Sequence, residues 1–140
     1  MFAKKMMKIK LDKGAIAPTR AHPFDAGLDL YAMEDATVVY HETFDTGVHV
    51  EIPEGWVGLI KSKSGLMVKH NITADGTIDA HYTGPIKVKL FNHGSVQYEV
   101  KAGDKIAQLV IVPCLLPRLE LVDSLEETDR GDGGFGSTGR

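Results

Sequence analysis

Fifteen glycines and six prolines are spread through 140 residues and punctuate short apolar runs. That spacing admits many strands and few helices. The clearest strand is Ile86-Lys87-Val88-Lys89-Leu90, with three apolar side chains one way and two lysines the other. Val48-His49-Val50-Glu51-Ile52 alternates in the same manner, and Pro53-Glu54-Gly55 follows it as a turn. Further strands are expected at Met7–Leu11, Leu28–Ala32, Ala36–Tyr40, Trp56–Ile60, Val96–Val100, Ile106–Val112 and Leu119–Val122. The run from Ile106 is apolar enough for burial on both faces. Turns fall at Asn92-His93-Gly94-Ser95 and Ala102-Gly103-Asp104. Leu66–His70 is the one helix candidate, about one turn long. Strands at this density predict an all-β sandwich or closed barrel.

At 15.3 kDa the chain suits one domain with a real core. A compact monomer of that mass exposes about 7,000 Å². The net charge of -3 argues against binding nucleic acid through phosphates, but leaves room for a local anion site. A single cysteine, Cys114, excludes an internal disulfide and a Cys-rich zinc site. Lysines 4, 5, 8 and 10 break every apolar run at the start, unlike a signal peptide. No stretch approaches the roughly 20 apolar residues of a membrane helix, and a cytoplasmic location is expected. The six histidines show no metal-ligand spacing and read as surface or turn residues.

The tail, Arg130-Gly131-Asp132-Gly133-Gly134-Phe135-Gly136-Ser137-Thr138-Gly139, gathers what an anion site needs. Glycines let backbone N–H groups approach closely, hydroxyls add donors, and an Arg fork suits phosphate oxygens. On composition alone the segment reads as a disordered terminus; against that stands Phe135 among the glycines, since a pure spacer has no use for an aromatic residue. Lys63-Ser64-Gly65 is a shorter cluster of the same kind, set between a strand and a helix start. Asp29 and Asp79 interrupt apolar sequence. Spacing alone makes each an outward residue of a half-buried strand. Asp104 reads as a turn former, and Tyr82 and Trp56 as packing residues. There is no Gly-x-Ser-x-Gly, and Cys114 has no nearby base in sequence, so nucleophilic catalysis has no support.

The order of these pieces is more specific than any one of them. Ala26-Gly27-Leu28-Asp29-Leu30-Tyr31-Ala32, Lys63-Ser64-Gly65-Leu66, Gly76-Thr77-Ile78-Asp79-Ala80-His81-Tyr82-Thr83-Gly84, Gly103-Asp104-Lys105-Ile106-Ala107-Gln108-Leu109 and Arg130–Gly139 follow one another. The series resembles the five ordered motifs of the trimeric deoxyuridine triphosphatase (dUTPase) family. The resemblance implies a distorted jelly-roll barrel of the β-clip kind over residues 1–123, with a flexible Gly-rich arm at 124–140. It implies a homotrimer with shared sites that hydrolyses dUTP to dUMP and pyrophosphate with Mg²⁺.

Roles follow from that resemblance by position. Asp79 matches the carboxylate that activates water. Tyr82 matches the aromatic residue under the deoxyribose. The backbone of Gly76, Thr77 and Ile78, on to Tyr82, matches the hairpin that reads uracil. Asp29 matches the residue that holds Mg²⁺ through water. Lys63, Ser64, Gly65 and Gln108 match phosphate contacts. Arg130, Gly136, Ser137 and Thr138 match the grip on the terminal phosphate, and Phe135 the ring that stacks on the base. Lys63 and Lys105 stand where the family usually has Arg, His81 where a second Asp is common, and Thr83 where Arg is common. The related dCTP deaminase family carries a catalytic Glu at a position that is Lys89 here, which argues against deamination. A nucleotide-responsive regulatory role, alone or beside hydrolysis, is the other reading.

Overall fold

The computed structural model describes residues 6–139. Lys4 and Lys5 of the N-terminal reading, and Arg140, lie outside them. The described residues form ten strands and one helix. In chain order these are β1 (Lys8–Leu11), β2 (Leu28–Tyr31), β3 (Ala36–Val38), β4 (His41–Asp45), β5 (Val48–Glu51) and β6 (Trp56–Lys61). Then come α1 (Ser64–His70), β7 (Ile72–Ile78), β8 (Lys87–Asn92), β9 (Tyr98–Val100) and β10 (Lys105–Pro113). Six strands pair antiparallel in the order β2-β10-β6-β7-β8-β4, a sheet curled into a half barrel. The pairs β1-β5 and β3-β9 complete the all-β jelly roll.

The alternation in β8 does what its sequence dictates. Val88 and Leu90 are buried, and Lys87, Lys89 and Phe91 face out. They join Leu30, Val38, Val48, Ile60, Ile72, Ile86, Ile106 and Leu109 in one core. Asn92 ends β8 with its amide turned inward. Its Nδ2 donates to the carbonyls of Val38 at 3.1 Å and Val96 at 2.9 Å, and its Oδ1 accepts from the Gly94 N–H at 2.9 Å. A buried amide with all these partners fixes the turn at 92–95.

The structure departs from the sequence reading at several points. β3 stops at Val38, with Val39 and Tyr40 exposed in a bend, and α1 starts at Ser64 and runs seven residues, not about one turn from Leu66. β4 and β7 are strands that the pattern of apolar runs does not announce. β9 begins at Tyr98, not Val96, whose side chain is exposed. β10 is buried through Leu109 but only half-buried at Val110, Ile111 and Val112. Leu119–Val122 forms no strand. No strand among the described residues pairs with it, and Leu119 and Leu121 are almost fully exposed.

The chain exposes 10618 Å². That is about 3,500 Å² more than a compact monomer of this mass. Much of the excess lies after β10. Residues 114–139 contain no helix or strand, and Leu115, Leu116, Leu119, Leu121, Leu125 and Phe135 stand open to solvent. Among the described residues nothing covers these apolar side chains of the tail.

Candidate active site

Strand pairing builds one half of the site. β10 lies between β2 and β6, so Asp29, Gln108 and Lys61 form a row across three strands. Neighbouring strands are about 4.8 Å apart. A bulge between Lys105 and Ala107 resets the β2-β10 register. The bulge re-aims Lys105, whose Nζ reaches Asp29 Oδ2 at 3.3 Å. Lys63, just past β6, donates from Nζ to Asp29 Oδ1 at 2.5 Å. The Asp29 side chain is only 4% exposed. Asp29 is therefore an inward, ion-paired residue, not the outward one its spacing suggests. A buried carboxylate needs such partners.

Lys63 adopts φ -79° and ψ 127°, the extended geometry that precedes a helix. α1 runs Ser64–His70 and is capped by Asn71, which takes φ 58° and donates its N–H to the Met67 carbonyl at 3.2 Å. Ser64 and Gly65 are exposed at the start of this helix. Ser62 Oγ is tied to the Ala74 backbone at both N–H (2.9 Å) and carbonyl (3.1 Å). Gln108 Nε2 donates to the Ser62 carbonyl at 2.9 Å, which aims its side chain across the row. Together Gly27, Asp29, Ser62, Lys63 and Gln108 line a cavity of about 560 Å³.

Gly27 is what lets Gln108 lie there. A Cβ at residue 27 would come within 2.8 Å of Gln108 Cδ and 3.0 Å of its Cβ. Gly27→Ala is expected to swing Gln108 off Ser62 and to lower kcat/KM about tenfold, one charge-assisted contact, with the thermal midpoint little changed. Steady-state rates and a melting curve on the same sample check this.

The ion pairs carry a stability prediction. Lys63→Met together with Lys105→Met strands the buried Asp29 carboxylate without a cation. The double variant should lose about 2 kcal/mol in urea unfolding at pH 7, less than for a fully buried pair because both ammonium groups already reach water. An unchanged midpoint contradicts the assignment.

The second half of the site lies elsewhere. β7 ends at Ile78, which pairs with Gly58 near the start of β6, whereas Lys63 follows the end of β6. Asp79 and Lys63 thus sit at opposite ends of a six-residue strand, a separation on the order of 20 Å. Asp79 is exposed, and among the described residues its carboxylate has no hydrogen bond or ion pair. Its carbonyl accepts from the Tyr82 N–H at 3.1 Å, which closes the hairpin. Tyr82 Oη donates to the Pro85 carbonyl at 2.9 Å. Thr77, Ile78, Asp79 and Tyr82 line a small hollow of about 190 Å³. Gly76 crosses Ile60 in β6, where a Cβ would press to 3.3 Å against the Ile60 side chain.

The arm forms the third part. Its hydrogen bonds are local: Gly133 N–H to the Arg130 carbonyl at 2.9 Å, Arg130 Nε to the Gly133 carbonyl at 2.8 Å, Ser137 N–H to the Gly134 carbonyl at 2.9 Å. Gly131 and Gly136 take φ 52° and 79°, which a side chain would resist. Phe135 projects fully into solvent, and Ser137 and Thr138 are exposed. One protomer therefore brings Asp29, Lys63 and Gln108 together, but leaves Asp79 with Tyr82, and the arm, as separate pieces.

Among the described residues no group of three or more His, Cys, Asp or Glu side chains converges as a metal cage. Mg²⁺ demands near-octahedral oxygen ligands and gives up water reluctantly. Asp29 Oδ1 already accepts from Lys63 and Oδ2 is ion-paired with Lys105, yet a carboxylate offers about four lone-pair sites. The residues present fit a hydrated ion linked to Asp29 through water, and do not fit direct coordination. The exposed Lys89 stands over the Phe91 ring at 5.3 Å, with no carboxylate at that position for a deaminase to use.

The family profile described as dUTPase matches residues 13–139. A deoxyuridine 5'-triphosphate nucleotidohydrolase of Gloeothece citriformis is 45% identical over 96% of this chain and 97% of its own length. The enzyme of that name from Arabidopsis thaliana is 47% identical over 93% of this chain and 80% of its own. Among solved structures, the dUTPase of Staphylococcus bacteriophage 80alpha with dUpNHpp superimposes with a TM-score of 0.87 at 33% identity. It covers 98% of this chain and 100% of that one, and is described as controlling transfer of virulence genes by a G protein-like mechanism.

Proposed function

The chain belongs to the dUTPase family and is a hydrolase of dUTP, and from that premise we propose how its residues divide the work. Three protomers share each site. One supplies the Asp29–Lys63–Gln108 cavity, a neighbour supplies the Asp79–Tyr82 hairpin, and an arm closes over the nucleotide. The observation that carries this reading is the placement of Lys63 and Asp79 at opposite ends of β6. A single chain cannot apply both to one phosphate chain, and the uncovered apolar tail calls for a second copy.

Within such a site, Asp79 orients a water and takes its proton as the water oxygen bonds to the α-phosphorus. The bond from that phosphorus to the bridging oxygen breaks, and pyrophosphate leaves. Lys63, the Ser64 hydroxyl, the Gly65 N–H and Gln108 donate to the phosphate oxygens. Arg130, with Ser137, Thr138 and the Gly136 backbone, holds the terminal phosphate, where the Arg fork suits the oxygens. A Mg²⁺ ion held through water by Asp29 would neutralise phosphate charge. The backbone of Gly76, Thr77 and Ile78 pairs with the uracil edge, Tyr82 lies under a sugar without a 2′-hydroxyl, and Phe135 stacks on the base. Asp29 is bound up by two lysines, so the unpaired Asp79 is the carboxylate free to work on water.

No helix among the described residues is long and apolar enough to cross a membrane. We place the enzyme in the cytoplasm, as its free Cys114 suits a reducing compartment. The test is pyrophosphate release from dUTP, dTTP, dCTP and UTP side by side with Mg²⁺. Rapid turnover of dUTP alone is expected. Binding of dUTP without pyrophosphate release would instead make the protein a nucleotide-responsive regulator.

A further inference from the structure

His49 is a strand residue whose side chain the reaction does not use. It lies on β5 opposite Lys10 of β1, with its side chain 18% exposed. Nδ1 is 2.7 Å from the Thr83 carbonyl oxygen, and Nε2 is 3.0 Å from Asp12 Oδ1. A carbonyl oxygen only accepts, and an ionised carboxylate only accepts. A neutral imidazole carries one N–H, so it satisfies one of these neighbours and sets a lone pair against the other. An imidazolium donates to both. The geometry therefore calls for the protonated ring.

Thr83 is the residue after Tyr82 in the loop between Ile78 and Lys87. That loop leaves β7 at one end. At the other end Ile86 donates its N–H to the Val48 carbonyl at 2.8 Å. Between the ends two side-chain contacts among the described residues tie the loop to the body. One is His81 Nε2 to Glu54 Oε1 at 2.9 Å, with both side chains about four-fifths exposed at 84% and 79%. Exposed pairs of that kind hold little. The other is the half-buried His49 bridge, which also fastens the loop to Asp12 and hence to the end of β1.

We propose that His49 is a positioning residue: as an imidazolium it clamps the Thr83 carbonyl to Asp12 and so holds the Asp79–Tyr82 hairpin in register for base and water, and loss of its proton loosens that hairpin. The inference rests on reading residues 76–82 as the hairpin that meets the base. The charged and titratable groups at the ring are Asp12, which it contacts, Lys10, opposite it on β1, and Lys8 and Glu51, which line the same hollow. The Thr83 carbonyl, followed by Asp12, raises the ring above its ordinary 6.5, against small opposing effects of burial and Lys10. The sign follows: a raised group gives its full effect below the unfolded value and loses it as pH climbs through the folded value. The clamp is closed at mildly acid pH and opens on the alkaline side.

The test compares the intact enzyme with His49→Asn, whose amide donates to Thr83 but does not titrate, and His49→Leu, which cannot donate. kcat and KM for dUTP are followed against pH, together with the His49 ring signal and amide exchange of Thr83 and Gly84 by NMR. The ratio of intact enzyme to His49→Asn in kcat/KM is expected to fall about fivefold, mainly through KM, as the ring deprotonates. His49→Leu should stay low at every pH, with its melting midpoint close to that of His49→Asn. With the intrinsic rise of base-catalysed exchange divided out, protection at Thr83 and Gly84 should fall over the same interval in the intact enzyme only. Parallel pH profiles for the intact enzyme and both variants overturn the proposal while leaving dUTP hydrolysis standing. If the intact enzyme turns over nothing, the reaction reading fails, and exchange decides the clamp alone. Exchange that tracks the ring supports it, and exchange indifferent to the ring overturns it.

Discussion

Asp79→Asn is expected to lower kcat for dUTP by about a thousandfold while the dissociation constant of a non-hydrolysable dUTP analogue stays within about twofold. The asymmetry is the point. Asparagine has the shape of aspartate and still polarises a water, but it does not accept a proton. Asp79 stands at the end of β7 with no ion pair or hydrogen bond from its carboxylate among the described residues, so the change removes no native contact. The melting curve should be that of the parent. A variant that binds weakly and turns over normally makes Asp79 a binding residue. Rapid-quench kinetics with the analogue measured by calorimetry separates the two.

The next largest effect comes from the arm. A chain ending at Asp129 lacks Arg130, Phe135, Gly136, Ser137 and Thr138, and should lose about a hundredfold or more in kcat/KM. The loss is one of positioning, since the arm carries no group that reacts. Stability should not follow activity. The hydrogen bonds of this segment run within residues 128–139, and Phe135 makes no burial of its own. The arm therefore costs little to remove from the free protein and matters when nucleotide is present. Full activity of the shortened chain removes the arm from the site.

The strands that carry the core were legible because one face is buried and the period is two. Val88 and Leu90 point in, Lys87 and Lys89 out, as their spacing demands. β4 was not legible. In His41-Glu42-Thr43-Phe44-Asp45 only Phe44 is buried, because the strand lies at the edge of the sheet and most of it faces water. β7 did carry a signal: Ile72, Ala74 and Ile78 fall on alternate buried positions, but Asp75 and Gly76 between them read as turn residues. Leu119–Val122 erred the other way. Its apolar spacing suits a strand, but a strand needs a neighbour, and none among the described residues pairs with it.

The site was legible in its motifs and not in its contacts. Asp29 faces inward because Lys63 and Lys105, 34 and 76 residues away in sequence, both return to it, and no local pattern announces such pairing. The role of Gly27 depends on Gln108 lying against it, visible only once β2 and β10 are paired. His49 occupies the same outward phase as Glu51 in β5 and so reads as a surface residue. Its partner Thr83 arrives through the loop after β7, a long-range contact. Family order supplied the roles, and three-dimensional pairing supplied the reasons.

The direct measurement of a shared site is complementation. Asp79→Asn chains and chains ending at Asp129 should each be nearly inactive alone. Unfolded together and refolded as a mixture, they should recover a substantial part of dUTP hydrolysis, because a sound hairpin from one protomer meets a sound arm from another. A mixture no more active than its two components places every working group within one chain and contradicts the account.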